Sequence, residues 1–293
     1  MAVFNLFLST IFLPVIGIVL LWRRPRRPFG AWLTTFLMAA GVAGFSLLAA
    51  PWGFFGVPVR IVLAVAFAAA LVSSLRRPFD PDPIPEPAVR SIVKVAIGFF
   101  FGGVAIGVLR AHEVPPRPVD LHLPMRNGTY LVMHGGSTAA ANAHFMDAKQ
   151  RYAVDFVRLN AAGFRARGIF PADPRAYAIF GSDVLSPCDG NVISAIDGLS
   201  DGIPDATHPF GNHVVLRCGD ALVTIAQLQR GSVAAKAGAP IAAGAPLGRA
   251  GNSGLSPEPH LHIHAERGGQ GVAMRFEGRW LVRNAIVRAR VSV

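Results

Sequence analysis

Cysteine is almost absent from this chain: Cys188 and Cys218 are the two among 293 residues. Neither has the neighbours expected of a zinc ligand. Both border strand-like runs, SPCDG and VVLRCGD, and an even pair in one domain suggests a disulfide in an oxidising compartment. Charge is scarce as well, at 15% of residues, while 52% are hydrophobic and the mean hydropathy is +0.43. That balance is high for a soluble globular protein and points to a membrane. A cleaved signal peptide does not explain it. The start lacks a basic segment and a small-residue cleavage site, and further apolar runs follow. Acidic residues are few, 17 against 28 basic, giving a formal charge of +11. No nucleic-acid motif accompanies that charge, so no nucleic-acid partner is expected.

The apolar excess sits before residue 110. Four runs, about Val3–Leu21, Trp32–Ala49, Val57–Ser73 and Ser91–Leu109, approach the roughly 20 residues that cross ~30 Å of hydrocarbon. Pro14 and several glycines interrupt them, which spanning helices tolerate. Arg23, Arg24, Arg26 and Arg27 follow the first run. Arg76 and Arg77 follow the third, and Arg90 and Lys94 open the fourth, whereas the loop at 51–56 has little charge beyond Arg60. Positive loops stay in the cytoplasm, so both ends of a four-span chain are expected outside. Trp22, Trp32 and Trp52 fall at span ends, as interfacial aromatics do. The third loop, FDPDPIPEP, reads as an extended spacer.

The domain boundaries expected are 1–110 for a membrane region with four helices, 111–120 for a stiff linker, and 121–293 for one domain of ordinary size. Short β-rich runs (TYLVM, YAVDFV, NVISAI, HVVLR, LVTIA and HLHIH) are separated by Gly, Pro, Asn and Asp, with no long amphipathic helix. The fold class expected is therefore N-terminal transmembrane α-helices followed by a mostly antiparallel β-domain. Arg158, Arg165, Arg167, Arg175, Arg249 and Arg267 would suit anionic polymers or lipid head groups.

The most informative stretch is Gly251 to Ala265, GNSGLSPEPHLHIHA. His260, His262 and His264 alternate with Leu261, Ile263 and Ala265, so a strand would set three imidazoles in one row. A surface strand with chance histidines is the bland alternative. Three in five residues of a histidine-poor chain favour a metal or catalytic site, imidazole being the commonest zinc ligand. A catalytic site needs about three protein ligands and one open position. Upstream, NAHFMDAKQRYAVDF supplies His144 and, inside an apolar run, Asp155. A buried carboxylate there calls for a partner: a metal, or otherwise a salt bridge.

At these residues the chain resembles the lysostaphin-type (LytM-like) zinc metallopeptidases. The resemblance runs from the upstream His and Asp through GNHVVL (Gly211–Leu216) and AKAGAPIAAGAPLGRAGNSG to PHLHIH, over roughly Leu121–Arg283. It implies Zn2+ as cofactor, His144, Asp155 and His262 as ligands, His260 as general base and a zinc-bound water as nucleophile. It also implies peptidoglycan peptides as substrate. Two departures stand out. The position four residues before the aspartate, often the ligand, is Arg151, so the QRYAVDF wording matches the branch with a more distant histidine. Gln227, in IAQLQRGSV, occupies the place of a second catalytic histidine; an amide donates to an oxyanion but carries neither proton nor charge.

His213 in GNHVV is expected near the site, and His264 as a residue orienting a ligand or substrate. His112, His122, His134 and His208 read as surface or loop residues. The functional expectation is a membrane-anchored zinc metalloendopeptidase, held in the cytoplasmic (inner) membrane with its C-terminal domain on the outer, periplasmic side. The rival is a weakened or inactive wall-binding or regulatory module, favoured by Gln227. A transporter is a third reading, opposed by spans with almost no charge apart from Lys94.

Overall fold

A computed structural model describes residues 2–22, 28–77, 79 and 86–289. They form two compact units: residues up to Trp52 with Val57–Leu109, and Gly53–Gly56 with Arg110 onward. In the first unit, Phe4–Trp22, Phe29–Ala49, Val57–Leu75 and Ala88–Arg110 are long and apolar enough to cross a membrane. The arginines at 23–27 and residues 80–85 of the third loop lie outside the described residues.

Local chemistry shapes these helices. Pro14 has no N–H to donate to the carbonyl four residues back, which is that of Thr10. A π-helical turn spans Leu8–Phe12, and the Thr10 carbonyl instead accepts from Ser46 Oγ at 2.8 Å. Gly41 and Gly98 lie backbone to backbone, so a Cβ on either would collide with the other helix. Lys94, buried, pairs with both Glu86 oxygens at 2.5 and 2.7 Å. Trp52 differs from the interfacial expectation: it is fully buried, its Nε1 donating to the Ser46 carbonyl at 2.8 Å.

The second unit is built on a nine-stranded sheet. In chain order its strands are β1 (Gly128–His134), β2 (Val154–Leu159), β3 (Gly190–Ile196), β4 (Asn212–Cys218) and β5 (Ala221–Leu228). They continue with β6 (Pro240–Ile241), β7 (Leu261–Arg267), β8 (Gln270–Val272) and β9 (Ile286–Ala289). All six runs expected to be strands overlap β1–β5 and β7, with Tyr152, Ala153 and His260 lying just before β2 and β7. The spatial order is β9-β1-β2-β7-β5-β4-β3-β6, with β8 beside β7, and every pair is antiparallel. Alternating Tyr130, Val132, Val154, Phe156, Ile225, Leu261 and Ile263 lie in the packed core, each strand giving every second residue to one face. Val119–Leu121, at the end of the stretch read as a linker, is a short strand parallel to Met274–Phe276.

Cys188 and Cys218 form a disulfide across the start of β3 and the end of β4, with Cα atoms 5.9 Å apart. The β3–β4 register, Asn191 opposite Arg217, brings them side by side.

Candidate metal centre

The central strands place one row of side chains across the sheet. Asp155 on β2 lies opposite His134 on β1 and opposite His262 on β7; His262 in turn faces Ala226 on β5. Directly opposed residues share a face with Cβ atoms about 4.5–5.5 Å apart. The register therefore sets a carboxylate between two imidazoles. His134 reaches this row because a bulge between Val132 and His134 shifts the β1 register.

His144 comes from the loop between β1 and β2. Asn142, buried at its base, donates to the carbonyls of Gly136, Arg151 and Ala153, and its Oδ1 accepts from the His144 N–H. This side chain closes the loop and aims His144 back at the sheet. Arg151, the position often holding the ligand, instead places its guanidinium 5.3 Å from the Phe145 ring centre.

Four histidines, His134, His144, His260 and His262, converge on Asp155. Its Oδ2 lies 2.8 Å from His134 Nδ1 and 2.9 Å from His144 Nε2. Its Oδ1 lies 2.8 Å from His262 Nδ1 and 3.8 Å from His260 Nε2. The side chains of His134 and His144 remain 27% and 25% exposed while His262 is 2%, so the cluster opens on the His134–His144 side. Of the four histidines read as surface or loop residues, His134 belongs here. His122 pairs with Glu277 and His208 with Asp205, both in exposed settings. A lone histidine 21 positions before Asp155 carries no spacing signal; strand register reveals it.

Electrostatics follow from this packing. Burial opposes ionisation of Asp155, yet the charges on His144 and His260, with hydrogen bonds from His134 and His144, hold it well below the usual carboxylate range. For His144, burial acts downward but the Asp155 charge and hydrogen bond outweigh it, raising the imidazole. Burial lowers His262. Burial, joined by charge on His262 and His144, brings His264 down to about 3.

The donor set fits a zinc ion: two or more imidazole nitrogens and one carboxylate oxygen, the composition of catalytic His and carboxylate sites. His134, His144 and Asp155 form one group able to hold a metal; Asp155, His260 and His262 form another. His264 Nδ1 lies 2.9 Å from His262 Nε2. An unprotonated His264 accepts from His262 Nε2–H, leaving the lone pair of His262 Nδ1 for a cation on the Asp155 side. Phe210 lies beside this pair, its ring centre 5.3 Å from that of His264 and 6.2 Å from that of His262, and 5.9 Å from that of His213.

Gln227 stands apart from the Asp155 hydrogen bonds. It adopts a positive φ of 58° where the β4–β5 register shifts between Asn212 and Val214. Its Nε2 donates to the Pro209 carbonyl at 3.4 Å, and its buried Oε1 has no hydrogen-bond partner among the described residues. The surrounding loops are held by the GN motifs. Asn212 is fully buried, exchanging hydrogen bonds with Leu199 and donating to the Leu228 carbonyl. Ser253 Oγ accepts from Asn212 N–H and donates to the same Leu228 carbonyl.

Residues 176–274 match peptidase family M23; the match takes in Gln227, His260 and His262 and begins after His144 and Asp155. The peptidoglycan DD-endopeptidase ShyA of Vibrio cholerae serotype O1 is 31% identical over 114 residues, 39% of this chain. The match spans 26% of that protein's length. Among solved structures, a zinc-containing peptidase from Vibrio cholerae is 22% identical over 41% of this chain and 28% of its own, with a TM-score of 0.28. The catalytic domain of lysostaphin from Staphylococcus simulans is 23% identical over 39% of this chain and 65% of its own, with a TM-score of 0.26. C-terminal to four apolar helices, residues 176–274 of this chain thus match peptidase family M23, in a segment similar to the endopeptidase ShyA.

Proposed function

We propose that this chain is a membrane-anchored zinc endopeptidase that hydrolyses peptide cross-links of bacterial peptidoglycan. The observation that carries the reading is one buried carboxylate, Asp155, with both oxygens approached by imidazoles from three separate segments. His144, Asp155 and His262 are the ligands in this account, and His134, on the same carboxylate oxygen, orients Asp155. When bound, zinc supplies Lewis acidity, bringing the pKa of a water toward 7 and polarising the scissile carbonyl.

His260 supplies the proton transfer. Its Nδ1 lies 2.9 Å from the Glu258 carbonyl, which can only accept, so Nδ1 carries the hydrogen. Nε2 is left as the basic nitrogen, on the side of Asp155. It takes the proton of the attacking water and delivers it to the leaving amine nitrogen. Gln227 is a neutral hydrogen-bonding group in this scheme: its Nε2 reaches an oxyanion only after leaving the Pro209 carbonyl. The four apolar helices hold the domain in the cytoplasmic membrane, on the outer face where its substrate lies.

Release of soluble fragments from purified peptidoglycan by the full chain in detergent is the test. Zinc-loaded protein is expected to release them and chelated protein not to; no release by the loaded protein overturns the proposal. The second reading, a regulatory or wall-binding module, draws on Gln227, and it predicts binding to the same material without cleavage.

A further inference from the structure

Arg165 and Glu258 form a buried ion pair that no step above uses. Arg165 is 1% exposed and Glu258 5%. Arg165 Nε lies 3.0 and 3.1 Å from the two Glu258 oxygens, and Nη2 reaches Oε2 at 2.5 Å and the Ile169 carbonyl at 2.8 Å. The guanidinium carbon sits 5.3 Å from the Tyr177 ring centre and 5.6 Å from that of Phe170. Such a pair is a poor device for stability alone, since well-packed apolar residues of similar volume serve as well or better. What it secures is geometry, because a two-pronged guanidinium–carboxylate contact fixes orientation.

The geometry secured is that of His260. Glu258 stands between Pro257 and Pro259, two residues before His260. The prolines restrict their own φ and bias Ser256 and Glu258 toward extended backbone. Within this segment the Glu258 side chain is the anchor to the segment around Arg165. Its backbone carbonyl accepts from His260 Nδ1–H at 2.9 Å and from Ser256 Oγ at 2.8 Å. Ser256 Oγ also lies 3.2 Å from His260 Nδ1. Holding the carboxylate thus holds the carbonyl, and the carbonyl holds the imidazole in the Nδ1–H tautomer with Nε2 toward Asp155.

We infer that Arg165 and Glu258 are positioning residues for His260, setting its tautomer and aim through the Glu258 carbonyl. The role rests on the hydrolase reading proposed above, whereas the geometry is readable without turnover. The experiment compares the full-length protein with two variants: Arg165→Met with Glu258→Leu, which replaces the pair by apolar volume, and Glu258→Gln. Zinc content and the imidazole 15N spectrum are recorded for each, with the His260 signals assigned by their loss in His260→Ala. The wild type is expected to show a single Nδ1–H tautomer at His260. The double variant should bind the same zinc, show both tautomers, and lose about 10–100-fold in kcat with little change in KM, the usual scale for residues that orient a catalytic group. Glu258→Gln should move the same signals less far, and it alone decides if the double variant does not fold. Folded, zinc-loaded variants with wild-type His260 signals overturn the inference, whatever their stability. A wild type that releases no fragments ends the hydrolase reading, and the tautomer result still decides this one.

Discussion

At the scale of single residues the account makes two predictions around Asp155. Asp155→Ala, His144→Ala and His262→Ala each remove a proposed ligand and should abolish stoichiometric zinc binding. His134→Ala should keep one zinc per chain with affinity about 10–100-fold weaker, as for residues that orient a ligand. Metal analysis after dialysis against graded chelator distinguishes these outcomes; loss of stoichiometry in His134→Ala would instead make His134 a ligand. The second prediction concerns pH. His264 titrates near 3 in the folded protein, mainly through burial, and near 6.5 when unfolded. The unfolded chain therefore binds the proton first, and stability complete above about 6.5 falls as pH drops toward 3. Thermal unfolding of chelated protein at pH 7 and pH 5 should show that loss, and His264→Phe should reduce it. An equal pH dependence in the variant would contradict the assignment.

At the scale of elements, the loops around the cluster depend on close backbone approach. Gly211 has φ +58°, and a Cβ there would overlap the backbone and hydroxyl of Ser253. Gly211→Ala should cost about 3 kcal/mol, combining left-handed strain with overpacking, measurable by denaturant unfolding. Much of this level was legible in the sequence. The alternation in HLHIH and YAVDF marks two strands whose imidazole and carboxylate faces meet, and the six expected strands form where β-rich apolar runs are bounded by Gly, Pro, Asn and Asp. What eluded the sequence depends on register. His134 joins the row only because β1 is bulged beside β2, and periodicity within one strand cannot express that. The Arg165–Glu258 pair is also long-range, its partners 93 residues apart. Gln227 shows the opposite case: its residue type was plain in the sequence, but the turn of its amide toward Pro209 follows from a positive φ at a bulge.

At the scale of the whole molecule, orientation in the membrane remains a proposal resting on Arg76, Arg77 and Arg90, and on Arg23, Arg24, Arg26 and Arg27 outside the described residues. The Cys188–Cys218 disulfide supports it, since such bonds persist in oxidising compartments. A reporter fused after Val293 should be active outside the cytoplasmic membrane. Protection of that reporter from protease added to intact spheroplasts would contradict the four-span orientation.

The central claim, that a cluster gathered on Asp155 makes this chain a hydrolase despite Gln227, is tested by fragment release from purified peptidoglycan. The comparison needs wild type, His260→Ala and Gln227→His, each full length and each checked for one bound zinc. Loss of one oxyanion donor typically costs ~10²–10³ in rate; a neutral donor replacing a charged one should cost less. The account predicts slow release by the wild type, none by His260→Ala, and faster release by Gln227→His. If all three hold zinc and none releases fragments above the metal-free control, the domain is not a peptidase.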